Sequence, residues 1–133
     1  MSDRILIVED NPQNMRLMEM IFSAKNYVLL KASDGEEALE LAQKEHPDLI
    51  IMDMQLPRMS GLEVTRRLRQ LPAFSETPII AITAYAMKGD REKALNAGCD
   101  AYLSKPINAR ELPKVIAQFL GQPKGKSTLK EQK

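Results

Sequence analysis

The chain has 133 residues, of which 44% are hydrophobic and 28% charged, and its net charge is +1. That composition fits one globular domain and argues against a strongly basic nucleic-acid binder or a membrane-surface protein. Cys99 is alone, which excludes an intramolecular disulfide, and the absence of any long apolar run predicts a cytoplasmic protein without membrane insertion.

Arg4 to Val8 is an apolar run that ends in acid, Glu9-Asp10. A short continuous apolar run before a loop reads as a strand buried on both faces. Asn11-Pro12 then supplies a helix cap and a favoured first position, and Met15, Met18 and Phe22 keep helical spacing up to Lys25. Tyr27 to Ala32 is a second strand. Ser33 with Glu36 predicts a capping box for a helix running to about Lys44. His46-Pro47 interrupts the pattern, and this single histidine is expected in a solvated connector.

Leu49 to Asp53 is the most apolar strand candidate, and it too ends in a carboxylate. Met54 to Ser60 forms a loop, and Ser60 with Glu63 predicts another capping box. In the helix that follows, Arg66, Arg67 and Arg69 are expected on the water-facing side. Pro78 to Thr83 is a fourth strand. Met87 to Ala97 reads as a weak helix closed by Gly98. Ala101 to Leu103 is a short fifth strand leading to Ser104-Lys105-Pro106. Asn108 and Glu111 open the last helix, whose Leu112, Val115, Ile116, Phe119 and Leu120 share one face. From Gln122 onward four lysines and one glutamate predict a disordered basic tail, so the expected division is a domain at 1–121 and a tail at 122–133. Without the tail the chain holds 15 basic and 17 acidic residues, a net of −2.

A strand–helix unit repeated five times with short loops predicts a doubly wound α/β sheet; two strand orders fit the pattern, and a flavodoxin-like (βα)5 three-layer sandwich with parallel sheet order 2-1-3-4-5 is favoured for five strands. In that order the first and third strands are neighbours, and their carboxyl ends flank the switch point. Glu9, Asp10 and Asp53 then converge, with Thr83 and Lys105 arriving from the fourth and fifth strands. Two like charges about 4 Å apart repel by about 4 kcal/mol at an effective dielectric near 20. Such a cluster therefore calls for a raised pKa, a cation or a nearby lysine. Hard oxygen donors suit Mg²⁺ better than zinc, and the sequence offers no Cys/His cluster. A carboxylate in this setting can attack a phosphoryl donor, with Lys105, Thr83 and backbone N–H groups as fixed donors. An inward shift of Thr83 would leave space for Tyr102, changing the surface around the fourth helix and fifth strand.

Val8-Glu9-Asp10-Asn11, Met52-Asp53-Met54-Gln55-Leu56-Pro57, Ser60-Gly61, Thr83-Ala84 and Lys105-Pro106 together resemble the receiver domains of two-component response regulators (CheY-like), over residues 4 to 120. The resemblance implies Asp53 as phosphoacceptor and Glu9, Asp10 and the Gln55 backbone carbonyl as Mg²⁺ ligands beside Asp53. It implies Thr83 and Tyr102 as a switch pair, Lys105 as phosphoryl partner, and a cis bond before Pro106. Many receivers carry Asp where this chain has Glu9, and the longer acid could place water between itself and the metal. Thr83 to Asp90 resembles single-domain receivers of the DivK type and equally receivers fused to hybrid histidine kinases. The implied partners are a sensor histidine kinase or phosphotransfer protein and a downstream regulatory protein, with no nucleic acid. The implied state is a monomer or a phosphorylation-dependent dimer. The implied role is an adaptor rather than a turnover enzyme. A flavin- or nucleotide-binding module on the same architecture is disfavoured, because Glu9-Asp10-Asn11-Pro12 repels phosphate and Pro12 lacks an N–H.

Overall fold

The computed structural model describes residues 3–23, 25–84 and 88–121. The elements in chain order are β1 (Asp3–Val8), α1 (Pro12–Phe22), β2 (Tyr27–Ala32), α2 (Gly35–Glu45), β3 (Leu49–Asp53), α3 (Gly61–Arg69), a 3₁₀ turn (Pro72–Phe74), β4 (Ile79–Thr83), α4 (Asp90–Ala97), β5 (Ala101–Ser104) and α5 (Glu111–Leu120). The five strands form one parallel sheet in the order β2-β1-β3-β4-β5, as expected.

Side-chain alternation along the inner strands divides the core in two. Leu6, Val8, Ile50, Met52, Ile79 and Ala81 face one side, where Ala38, Ala42, Val64, Leu68 and Ala94 of α2, α3 and α4 cover them. Ile5, Ile7, Leu49, Ile51, Ile80 and Ile82 face the other side and meet Met18 and Phe22 of α1 and Leu112 and Ile116 of α5. Every residue of β3 and β4 is buried, which is why these strands are apolar throughout rather than alternating. Each large aliphatic side chain so buried contributes about 1.5–3 kcal/mol. β2 and β5 lie at the edges and are only half-buried, so their sequences tolerate Lys31 and Ser104.

The parallel register sets the rim. Val8 pairs with Met52, Asp53 with Ile82, and Thr83 with Ser104. Glu9 therefore leaves β1 level with the end of β3, and Lys105 follows directly on the residue paired with Thr83.

The helix ends differ from expectation in several places. α1 stops at Phe22 rather than Lys25, with Asn11 Oδ1 accepting from Gln13 and Asn14 N–H at its start. The α2 cap is one residue later than predicted: Asp34 accepts from Glu37 N–H, and Glu37 reaches back to Ser33. Asp34 is the better cap because its charged oxygen meets the N-terminal end of the helix dipole. At α3 only half of the predicted box forms. Ser60 accepts from Glu63 N–H, while the Glu63 carboxylate pairs with Arg67 instead.

Arg69 corrects the expectation of a solvated arginine face. Arg66 and Arg67 are exposed, but the Arg69 side chain is only 17% exposed. Its guanidinium donates to the carbonyls of Phe74, Thr77 and Gly98 and pairs with Asp100 at 2.9 Å. The Asp100 carboxylate also accepts from Ile79 N–H, so one arginine ties α3, the start of β4 and the α4–β5 turn together. Gly98 completes the turn at φ 117°, where a side chain would be strained, and a Cβ there would lie 2.7 Å from Arg69 Cγ. Cys99 is buried against Thr65. His46 is exposed in the connector as expected, in the left-handed conformation that ends α2, with its ring stacked on Phe74. The weak helix expected from Met87 begins at Asp90. Met87 and the tail from Gln122 lie outside the described residues.

Candidate functional site

Asp53 closes β3 at the centre of the sheet and is 2% exposed. Its Oδ1 accepts from Gln55 N–H at 2.9 Å, and its Oδ2 lies 3.3 Å from Lys105 Nζ. The turn that follows is tight because Gly61 packs against it: a Cβ on Gly61 would meet the Asp53 carbonyl oxygen at 2.2 Å. Glu9, at the end of β1, is equally buried. It accepts from Asn11 N–H at 3.1 Å and pairs with Lys105 at 3.1 Å. Asp10 is exposed at the mouth. One oxygen from each of Glu9, Asp10 and Asp53 lies within 4.8 Å of the others.

The three carboxylates predicted to converge therefore do so, and Lys105 reaches two of them from beyond β5. The Lys105–Pro106 bond is cis. Burial raises the Asp53 pKa to about 6, and the negative charge of Glu9 adds to the effect; the Gln55 N–H bond and Lys105 oppose it without cancelling it. Burial works to lower the Lys105 pKa, but the Glu9 hydrogen bond and the charges of Asp53 and Glu9 outweigh it, so its pKa ends above the usual value. A site with two buried carboxylates and one ammonium remains short of positive charge. Hard, clustered oxygens at a rim with one exposed member fit a small divalent cation such as Mg²⁺.

Thr83 ends β4 and is buried. Its hydroxyl accepts from Gln55 Nε2 at 2.5 Å. The same carboxamide accepts from Ala84 N–H through Oε1 at 2.9 Å. The resemblance implies a role for Gln55 through its backbone carbonyl alone, and these side-chain contacts add to it. Nothing in the local pattern shows which way a glutamine two residues past a strand points. Tyr102, on β5, places its hydroxyl in a buried position beside Thr83. Burial raises the Tyr102 pKa, with Asp90 contributing. Met54, Gln55, Leu62, Thr83, Asp90 and Tyr102 border a cavity of about 90 Å³ between this corner and α4.

Comparison with known proteins agrees with this arrangement. The response regulator receiver domain family matches residues 5–117. The polar-differentiation response regulator DivK of Brucella ovis is 46% identical over 121 residues, which cover 91% of this chain and 98% of that protein. DivK of Brucella anthropi is also 46% identical over the same share of both chains. Among solved structures, the receiver domain of a sensor histidine kinase from Pseudomonas aeruginosa superposes with a TM-score of 0.84 at 37% identity, covering 92% of this chain and 100% of that one. That crystal structure has a magnesium ion coordinated in its active-site cleft. A CheY-like receiver from Methanospirillum hungatei gives a TM-score of 0.84 at 31% identity, covering 91% of this chain and 95% of that one. Among the described residues no helix is long and apolar enough to cross a membrane. With the sheet order, the acidic rim and the extent of these matches in agreement, this chain belongs to the receiver domains of response regulators.

Proposed function

We propose that residues 1–121 form a phosphorylatable receiver that takes a phosphoryl group on Asp53 and passes the signal on through protein contacts. The observation that carries this reading is the convergence of Asp53, Glu9, Asp10 and Lys105 at one rim. In the step proposed, an Asp53 oxygen bonds to phosphorus as the P–N bond of a phosphohistidine breaks, and the departing imidazole keeps the electron pair. Lys105 already lies 3.3 Å from the carboxylate and would balance the added negative charge. Glu9 holds that ammonium in place. Glu9, Asp10, Asp53 and the Gln55 carbonyl would hold Mg²⁺, which when bound supplies the positive charge that lets a carboxylate approach an anionic donor.

Thr83 and Tyr102 form the proposed switch. Thr83 would turn toward the phosphoryl group, and Tyr102 would follow into the space beside it, changing the α4–β5 surface. The partners are a histidine kinase or phosphotransfer protein upstream and a regulatory protein downstream, in the cytoplasm. Similarity to DivK favours an adaptor that carries one phosphoryl group per chain rather than a turnover enzyme.

Transfer from a radiolabelled, phosphohistidine-bearing phosphotransfer protein tests this reading. Label should move to the chain in Mg²⁺ and stay on the donor in EDTA. Transfer that ignores EDTA, or label that survives mild base treatment, would reject a metal-assisted acyl phosphate.

A further inference from the structure

Gln55 contacts both ends of the proposed signal path. Its backbone N–H donates to Asp53 Oδ1 at 2.9 Å. Its carboxamide donates to Thr83 Oγ1 at 2.5 Å and accepts from Ala84 N–H at 2.9 Å. Thr83 ends β4 and Ala84 follows it, one residue and two residues beyond Ile82, which pairs with Asp53 across the sheet. A phosphoryl group on Asp53 would bring new acceptor oxygens to the same corner, and phosphoryl oxygens are strong acceptors for such donors.

We propose that the Gln55 side chain is an internal placeholder: in the unphosphorylated protein its Oε1 accepts the Ala84 N–H that a phosphoryl oxygen on Asp53 takes over, while its Nε2 donates to the Thr83 hydroxyl oxygen and tethers that side chain. Gln55 is a positioning residue in this scheme. It holds Thr83 in the resting arrangement, and phosphorylation succeeds in moving Thr83 only by displacing the carboxamide. Displacement is feasible because Gln55 is half-exposed, so its released amide can hydrogen-bond to water instead of being stranded. The cavity of about 90 Å³ bordered by Gln55, Thr83 and Tyr102 leaves room for the exchange. The residue thereby sets how much phosphoryl binding energy is spent on release before the switch turns. This inference rests on Asp53 as the phosphoryl site.

Beryllium trifluoride with Mg²⁺, which mimics a phosphoryl group without a covalent step, provides the probe. Its affinity for wild type, Gln55→Ala and Gln55→Met is measured by NMR titration, and thermal unfolding confirms that each variant is folded. Methionine keeps the length of the side chain and removes both hydrogen bonds. The probe then has no carboxamide to displace, so both variants should bind it about tenfold more tightly than wild type. Ala84 N–H should exchange faster with solvent in both variants, and the Gln55 side-chain amide signals of wild type should move to free-glutamine positions when the probe binds. Equal or weaker binding by the variants, with wild type still binding, overturns the placeholder and leaves the Asp53 reading intact. Absence of binding to wild type overturns both.

Discussion

Lys105 Nζ lies 3.3 Å from Asp53 Oδ2, although 52 residues separate the two in the chain. The contact exists because β3, β4 and β5 run parallel in adjacent positions and release their next residues at the same edge. The same lysine also reaches Glu9, so one ammonium serves two buried carboxylates. That imbalance drives the first expected outcome.

Because the folded Asp53 pKa is raised from 3.8 to about 6, the folded state holds its proton longer than the unfolded state does. Stability therefore falls as pH rises through that window, and the whole penalty is present above it. Asp53→Asn removes the penalty. In metal-free buffer the variant should be more stable than wild type at about pH 8, and the gap should close at about pH 4. Urea denaturation at both pH values checks this. Adding Mg²⁺ at about pH 8 should raise the wild-type midpoint more than the variant's, since only the wild type keeps all three carboxylates. A variant less stable than wild type at high pH would show that the Lys105 pairing outweighs the burial penalty.

Arg69→Ala should cost about 2–4 kcal/mol, because it leaves three carbonyls without their guanidinium donor and takes the ion-pair partner from the half-buried Asp100 carboxylate, which keeps the Ile79 N–H. Arg66→Ala, three residues away on the exposed side, should change stability by no more than about 0.5 kcal/mol. Urea midpoints of the two variants separate a structural clamp from a solvated charge.

Gly61→Ala should be more damaging still, at about 3 kcal/mol or above, because the new methyl would sit 2.2 Å from the Asp53 carbonyl oxygen and 2.9 Å from Met54 Cα. These are backbone atoms that cannot move aside without displacing the acceptor. Phosphorylation by acetyl phosphate should slow in any fraction that remains folded, whereas a normal rate would show that the turn absorbs the clash elsewhere.

Much of this was legible in the sequence, and the reason lies in the fold type. Parallel strands buried on both faces write themselves as apolar runs such as Leu49–Met52, and the residue after each run marks the functional edge. Glu9, Asp53, Thr83 and Lys105 could thus be placed together before any coordinates. Arg69 could not, since its partners at Phe74, Thr77, Gly98 and Asp100 are assembled by tertiary packing, and its neighbours Arg66 and Arg67 made it look like part of a solvated run. The Gln55 side chain was hidden for a similar reason. A metal-binding role for its backbone carbonyl is implied by the family resemblance, but the direction of its side-chain amide depends on β4 lying alongside. The α2 cap shifted by one because Ser33 and Asp34 are both good caps, and only the geometry of the turn chooses between them.

Thr83→Ala should accept a phosphoryl group and lose most of the change in partner affinity that accompanies it. Calorimetric titration of the downstream partner against phosphorylated and unphosphorylated forms measures that difference. Undiminished discrimination in the variant would remove Thr83 from the switch.

The most direct measurement is the intact mass of wild type and Asp53→Asn after incubation with acetyl phosphate and Mg²⁺. Wild type should gain a single phosphoryl group and Asp53→Asn none. Equal labelling of the two proteins would contradict Asp53 as the acceptor.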